Sequence, residues 1–167
     1  VFLALCVVNS ALAAGKIDAT VENFKIAVAK GDSSNPISVA AFAKAPQALK
    51  IDSETTITTS FSVKNKADGA AVSPQQVFVI FEHVESGNEI TFVADNEKNG
   101  AYKVSVNFAR EGDEFNGHSG KYKIHVVVGD VTLKAPLYWV FADADITVPE
   151  AGAEWVRKSE KISYAQL

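Results

Sequence analysis

Between Gly120 and Trp139 the chain reads GKYKIHVVVGDVTLKAPLYW, and the period of two in that stretch restricts the fold more than any other feature. Tyr122, Ile124, Val126 and Val128 fall on one face, while Lys121, Lys123 and His125 fall on the other. Successive side chains of a strand point to opposite sides of the pleat, so this alternation describes a strand with one face in a core. Gly129-Asp130 breaks the run, and Val131 opens a second segment that Pro136 cuts off before Leu137-Tyr138-Trp139. The lead-in His118-Ser119-Gly120-Lys121-Tyr122 has the makeup of a tyrosine corner, in which a Tyr near the start of a late strand turns its hydroxyl back onto the preceding loop. An ordinary core aromatic is the alternative for Tyr122. On either reading this stretch is expected to be the central strand of an antiparallel β domain.

The rest of the chain repeats the pattern in shorter pieces. Ile17 to Val28 is a strand candidate in which Phe24, Ile26 and Val28 alternate with Lys25 and Ala27. Gly31 to Pro36 is a loop by composition. Ile37 to Ala45 is Ala-rich and suits an irregular strand or a short helix, ended by Pro46. Thr55 to Val63 places Ile57, Thr59, Phe61 and Val63 on one face, and its β-branched content favours a strand. Lys64 to Pro74 is a connection. Val77 to Val84, VFVIFEHV, is apolar on both faces and is expected in the middle of a sheet. Glu89 to Ala94 returns with Ile90, Phe92 and Ala94 inward, and Asp95 to Gly100 ends in Asn-Gly, a strong short-range hairpin signal. Tyr102, Val104, Val106 and Phe108 alternate cleanly, Arg110 to Gly120 is a long polar loop, and Tyr138 to Val148 is the last strand.

With turn signals roughly every ten residues and no clear amphipathic helix, the expected class is all-β. It is an antiparallel, immunoglobulin-like β-sandwich of about seven to eight strands. Each buried Tyr, Phe or Trp would contribute on the order of 2 kcal/mol, which lets such a core stand without disulfides.

Length and composition agree with one globular domain: 167 residues, 47% hydrophobic and 22% charged. A net charge of −4 with scattered Lys and Arg gives no footprint for nucleic acid. The first residues, VFLALCVVNSALAA, form a short apolar run followed by small residues. That is the core and cleavage region of a secretory signal peptide, expected over 1–13, with Ala11-Leu12-Ala13 as the A-x-A site. The run is short of the roughly 20 apolar residues that span a bilayer. Its missing charged lead and the lack of a starting Met suggest residues lost upstream. The single cysteine, Cys6, lies inside it, so the processed chain is expected to be thiol-free. No Asn-x-Ser/Thr acceptor is present, since Asn9-Ser10-Ala11 and Asn35-Pro36-Ile37 both fail the pattern. Residues 16–148 are expected to form the sandwich. Residues 149–167, with Trp155 exposed among charges, are expected to be a linker.

Sites for chemistry are scarce. Asp95-x-Glu97-x-Asn99-Gly100 opens like a calcium-binding loop, yet the twelfth position, which should supply a bidentate Glu, is Val106. A hairpin turn explains the same residues. His83, His118 and His125 lack ligand spacing and are expected at the surface. Asp143 and Asp145 share a strand face, and Glu111, Asp113 and Glu114 share a loop. Acid–base work by carboxylates needs a cleft that separates their pKa values, and nothing implies one. No Gly-x-Ser-x-Gly turn or glycine-rich phosphate loop occurs. No catalytic, cofactor-binding or metal-binding residue is assigned, and on chemistry alone the chain is a non-enzymatic β module.

The stretches TFVADNEKNGAYKVSVNF and SGKYKIHVVVGDVTLKAPLYWVFADADI resemble the carboxy-terminal luminal domain of the ribophorin II family, sharpest from Gly129 to Lys134 and through Pro136 to Trp139. The likeness runs from about Lys16 to Ile146. It implies a non-catalytic subunit of the endoplasmic-reticulum oligosaccharyltransferase complex, which transfers a preassembled oligosaccharide from a dolichol lipid to Asn-x-Ser/Thr. The implied partners are the other subunits, and catalysis belongs to one of those. The implied location is the endoplasmic-reticulum membrane with the domain facing the lumen, held by transmembrane helices that follow the sandwich. The chain departs from the family in two respects. Larger members carry a long helical region before the sandwich, and no membrane helices follow Leu167 here; truncation at both ends is the expectation, and a naturally short form is the alternative. A free secreted or cell-surface immunoglobulin-like adhesion module is the alternative function.

Overall fold

The computed structural model describes residues 15–31 and 33–149. The expected signal peptide, Cys6, Trp155 and nearly all of the linker lie outside the described residues. Ten strands form two five-stranded sheets packed face to face as an all-β sandwich. The first sheet has the order β2-β1-β4-β8-β7, with β1 Ala19–Lys30, β2 Ser33–Ser38, β4 Thr55–Asn65, β7 Asp95–Asn96 and β8 Ala101–Asn107. The second has the order β3-β10-β9-β5-β6, with β3 Leu49–Ile51, β5 Gln76–His83, β6 Glu89–Val93, β9 Gly120–Gly129 and β10 Leu137–Ile146. The stretch from Gly120 is β9, the middle of the second sheet, paired antiparallel with β10 and β5.

Tyr122, Ile124, Val126 and Val128 are buried on its inner side, as the alternation requires. The Tyr122 hydroxyl donates to the backbone oxygen of His118 at 2.5 Å, so the tyrosine corner is formed. The inner faces meet through two aromatic groups. Phe24 lies 5.4 Å from Phe61 and 4.7 Å from both Trp139 and Phe141. Toward the other end of the sandwich, Phe115 lies 4.9 Å from Phe108 and 5.6 Å from both Phe81 and Tyr122.

The strand count exceeds the expected seven to eight because short or polar segments find partners. The loop expected from Gly31 to Pro36 gives way to β2 from Ser33 onward, an antiparallel edge strand on β1. An edge position tolerates Pro36, whose missing amide hydrogen need serve no further neighbour. Ser38 closes β2, and the chain then turns irregularly through Phe42 (φ 59°). β3 pairs with β10 in parallel, the one parallel pairing between the ten strands. The expected polar loop from Arg110 to Gly120 instead begins in a helical turn, α1 Phe108–Glu111, and a 3-10 turn, Gly112–Phe115, that sinks Phe115 into the core. Asn107 caps α1 by accepting from the Ala109 amide, and Glu111 accepts from the Asn107 amide.

The Asn-Gly signal is a hairpin turn, but between β7 and β8. Asn99 (φ 60°) and Gly100 (φ 71°) both take the left-handed conformation that a two-residue turn demands. A Cβ on Gly100 would stand 2.9 Å from the Val72 carbonyl oxygen, so the position excludes any other residue without a shift. The chain passes from the second sheet to the first between β6 and β7, at Ala94, whose amide still bonds to Val77 of the second.

Candidate functional site

The calcium-loop series is spent on structure. Asp95 and Asn96 form β7, Asn99-Gly100 forms the turn, and Val106 is fully buried on β8. Asp143 and Asp145 do share the outward face of β10. A register shift between Val140 and Ala142 buries Phe141 and Ala142 in succession and fixes both carboxylates outward. Each has its own cation: Lys44 lies 2.6 Å from Asp143, and Lys50 pairs with Asp145. The Lys50 ammonium holds the Asp145 carboxyl below the usual range. Each carboxylate is thus engaged by a lysine of its own, and the two are not left free to work as an acid–base pair. Glu111 is engaged by the Asn107 amide, while Asp113 and Glu114 are exposed. Among the described residues no three His, Cys, Asp or Glu side chains converge in a metal-binding arrangement.

The histidines correct the sequence reading. His118 is exposed, but His83 and His125 are buried. The reason is long-range packing that sequence spacing does not reveal. His83 ends β5 on its inner side, 4.9 Å ring to ring from Tyr122 and 5.9 Å from His118. Its Nδ1 accepts from the Ser86 amide at 3.2 Å, and its Nε2 has no partner among the described residues. Nε2 lies 2.8 Å from where a Cβ would stand on Gly120 (φ 146°), so the ring rests against bare backbone.

His125 faces outward on β9 and is nevertheless 1% exposed. Tyr138 of β10 closes over one side, its hydroxyl bonded to Nδ1, with the rings 5.0 Å apart. On the other side Nε2 approaches Glu82 Oε2 to 2.9 Å. That approach is off the N–H direction and is an electrostatic contact, not a formed hydrogen bond. Burial first, and the carboxylates of Glu82 and Glu89 after it, push the Tyr138 hydroxyl pKa up, which makes it a poorer nucleophile.

Around His125 the outer face of the second sheet is apolar. Register aligns Tyr138, Val127, Phe78 and Val93 in one row across β10, β9, β5 and β6. The next row is Val140, His125, Ile80 and Thr91, and the third is Asp143, Lys123, Glu82 and Glu89. The signal for this surface was present in the sequence as the two-faced apolarity of Val77 to Val84 and the run Val126-Val127-Val128. Both suit a strand covered on each side; here the second cover is absent among the described residues.

Comparison with known proteins places the whole sandwich. Residues 22–146 match the model of the ribophorin II third domain, β1 to the end of β10. The chain belongs to the ribophorin II family. It is also 34% identical, over 99% of its length, to the Caenorhabditis elegans protein named dolichyl-diphosphooligosaccharide–protein glycosyltransferase subunit 2. The chain spans 60% of that relative's length. The ribophorin II resemblance read from about Lys16 to Ile146 is therefore correct. Among the described residues no helix is long and apolar enough to cross a membrane.

Proposed function

We propose that this chain supplies the luminal β-sandwich of a non-catalytic subunit of the oligosaccharyltransferase complex, supporting N-linked glycosylation by holding other subunits in place. The observation that carries the reading is the family match over 22–146, joined to a relative named as subunit 2 of that glycosyltransferase. In this reading residues 1–13 are a signal peptide, 16–148 the domain in the lumen, and 149–167 a linker toward membrane helices.

The chemistry of the site supports the non-catalytic part. Transfer to an amide nitrogen needs activation of a poor nucleophile and stabilisation of a charged sugar-phosphate leaving group, work suited to a divalent metal and its acidic ligands. The carboxylates of β10 are neutralised by Lys44 and Lys50, and Glu82 lies against His125. An exposed sheet face offered to a neighbour is an adapter's feature.

The test is twofold. Depleting the full-length protein should lower glycosylation along with the amount of intact complex. The purified protein alone should leave an acceptor peptide unmodified when given a dolichol-linked donor, with or without manganese. Transfer by the purified protein would overturn the adapter role, and normal glycosylation after depletion would overturn membership of the complex.

A further inference from the structure

The outer faces of the two sheets obey different rules. On the first sheet, the rows across β1, β4 and β8 read Lys25, Ser60, Lys103 and then Ala27, Thr58, Ser105. That is the polar-out pattern of an antiparallel sheet facing water. The second sheet breaks it: Val93 is 72% exposed and Tyr138 62%, at the two ends of a row closed by Val127 and Phe78. Single exposed apolar residues are ordinary. Four in register over about 14 Å, with Ile80 and Val140 in the next row, make a contiguous patch of the kind that marks an interaction site. Within the chain, the exposed parts of Val93 and Tyr138 gain nothing from folding.

The border of the patch states the partner's charge. Glu82 and Glu89 stand directly opposite each other across β5 and β6, an unfavourable placement for like charges. Among the described residues no lysine or arginine comes within ion-pair distance of either: Glu82 touches the His125 ring and has Lys123 opposite it in register but not in contact, and Glu89, farther out on the edge strand, has no basic group against it. Their field reaches across the sheet, adding to the rise in the Tyr138 pKa. An anionic lipid surface would be repelled there, and a lysine or arginine would be drawn in.

We infer that the outer face of the second sheet is the domain's assembly surface, covered by a partner polypeptide presenting an apolar strip bordered by lysine or arginine. This rests on the reading that the chain works inside the glycosyltransferase complex, and names the face it uses there. His125, already buried beneath Tyr138, keeps its ring nitrogens out of such an interface, so they would need no new partners there.

The test uses the full-length protein in place of the endogenous one. Val93→Lys should cut the fraction recovered with the other subunits at least about tenfold, as loss of an interface anchor does. Glu89→Lys should cut it by about threefold or more, and Thr58→Lys on the opposite sheet should change it less than about twofold. Position 93 is exposed, and melting curves of the variants verify folding. A readout independent of stability is maleimide labelling of Val93→Cys and Ser105→Cys. Cysteine at 93 should label at least about tenfold more slowly in the complex than in the free protein, with 105 unchanged. If Val93→Lys assembles as well as Thr58→Lys and cysteine 93 stays reactive, this face is not the surface, while recovery of the unmodified protein with the complex leaves the functional reading intact. If the unmodified protein is not recovered with those subunits, both readings fall. A Val93-dependent dimer of the purified protein would replace the basic partner with a second copy. Faster labelling of cysteine 93 in the free protein after truncation at Pro149 would replace it with the chain's own tail. Either result overturns the proposal.

Discussion

Thr58 and His125 occupy the same kind of place: each stands outward on the middle strand of its sheet, β4 in one and β9 in the other. Thr58 remains partly exposed and shares a 3.1 Å hydrogen bond with Ser105 across the strands. His125 is sealed by Tyr138 and Glu82 among aliphatic neighbours. The first position stays open to solvent, and the second is covered by protein with its Nε2 lacking a hydrogen-bond partner among the described residues. Folding demands an apolar inner face from both sheets but asks nothing of the outer faces beyond solubility. A polar residue buried on an outer face therefore points to a use beyond folding.

The largest effects should ignore this difference, because the inner faces are equivalent. Trp139 of the second sheet packs against Phe24, Phe42 and Phe141 and donates from Nε1 to the Ala43 carbonyl at 2.6 Å. Phe61 of the first packs against Phe24 and Tyr102. Trp139→Ala and Phe61→Ala should each cost about 3–5 kcal/mol in urea unfolding, a large share of an ordinary domain's stability. A cost under about 1 kcal/mol for either would mean that its sheet does not contribute equally to the core.

How far the sequence revealed this arrangement follows from the range of the forces involved. Strands with a clean period of two, β4, β8 and β9, were legible because alternation is local and their inner faces are continuous. The tyrosine corner was legible because donor and acceptor lie four residues apart. β2 and β3 were not, because a polar or three-residue strand exists only through its partner, β1 or β10. Phe115 was hidden by the polar residues around it. For His125 the face was read correctly and the environment was not: Tyr138 and Glu82 cover it from other strands, and period two says which way a side chain points, not what waits there.

Two tyrosines compare the inner and outer sides directly. Tyr122 is 1% exposed and its hydroxyl ties β9 to the loop before it, and burial pushes its pKa up. Tyr122→Phe should cost about 1–2 kcal/mol, leaving the His118 carbonyl without that donor. Tyr138→Phe removes the hydroxyl of a largely exposed ring, and the gap lets water reach the His125 Nδ1 beneath it, so it should cost less than about 1 kcal/mol in the same melts. Reversal of that order would show that the outer side of the second sheet bears more of the fold's stability than its inner corner.

The smallest expected effect lies where the chain crosses between the sheets. Asp52 follows β3 of the second sheet and leads into β4 of the first, and Lys30, the last residue of β1, reaches it at 2.6 Å. The Lys30 ammonium, then the Thr55 hydroxyl and the Glu54 amide, outweigh a small burial penalty and lower the Asp52 pKa from 3.8 to about 2. A carboxyl whose pKa is depressed by folding binds its proton less readily in the native state than in the unfolded chain, so it favours the native state wherever it is ionised in both. That contribution is complete above pH 3.8, shrinks as the pH falls, and is gone below about 2. Both partners are substantially exposed, so the effect is modest and salt should weaken it. The urea midpoint of the parent minus that of Asp52→Asn should be flat from pH 6 to about pH 4 and close to zero near pH 2. Added salt at pH 6 should reduce the difference. A difference that stayed constant across this range would mean that Asp52 acts through the neutral geometry of its turn to Thr55, and that its charge does not clasp the two sheets together at this crossing.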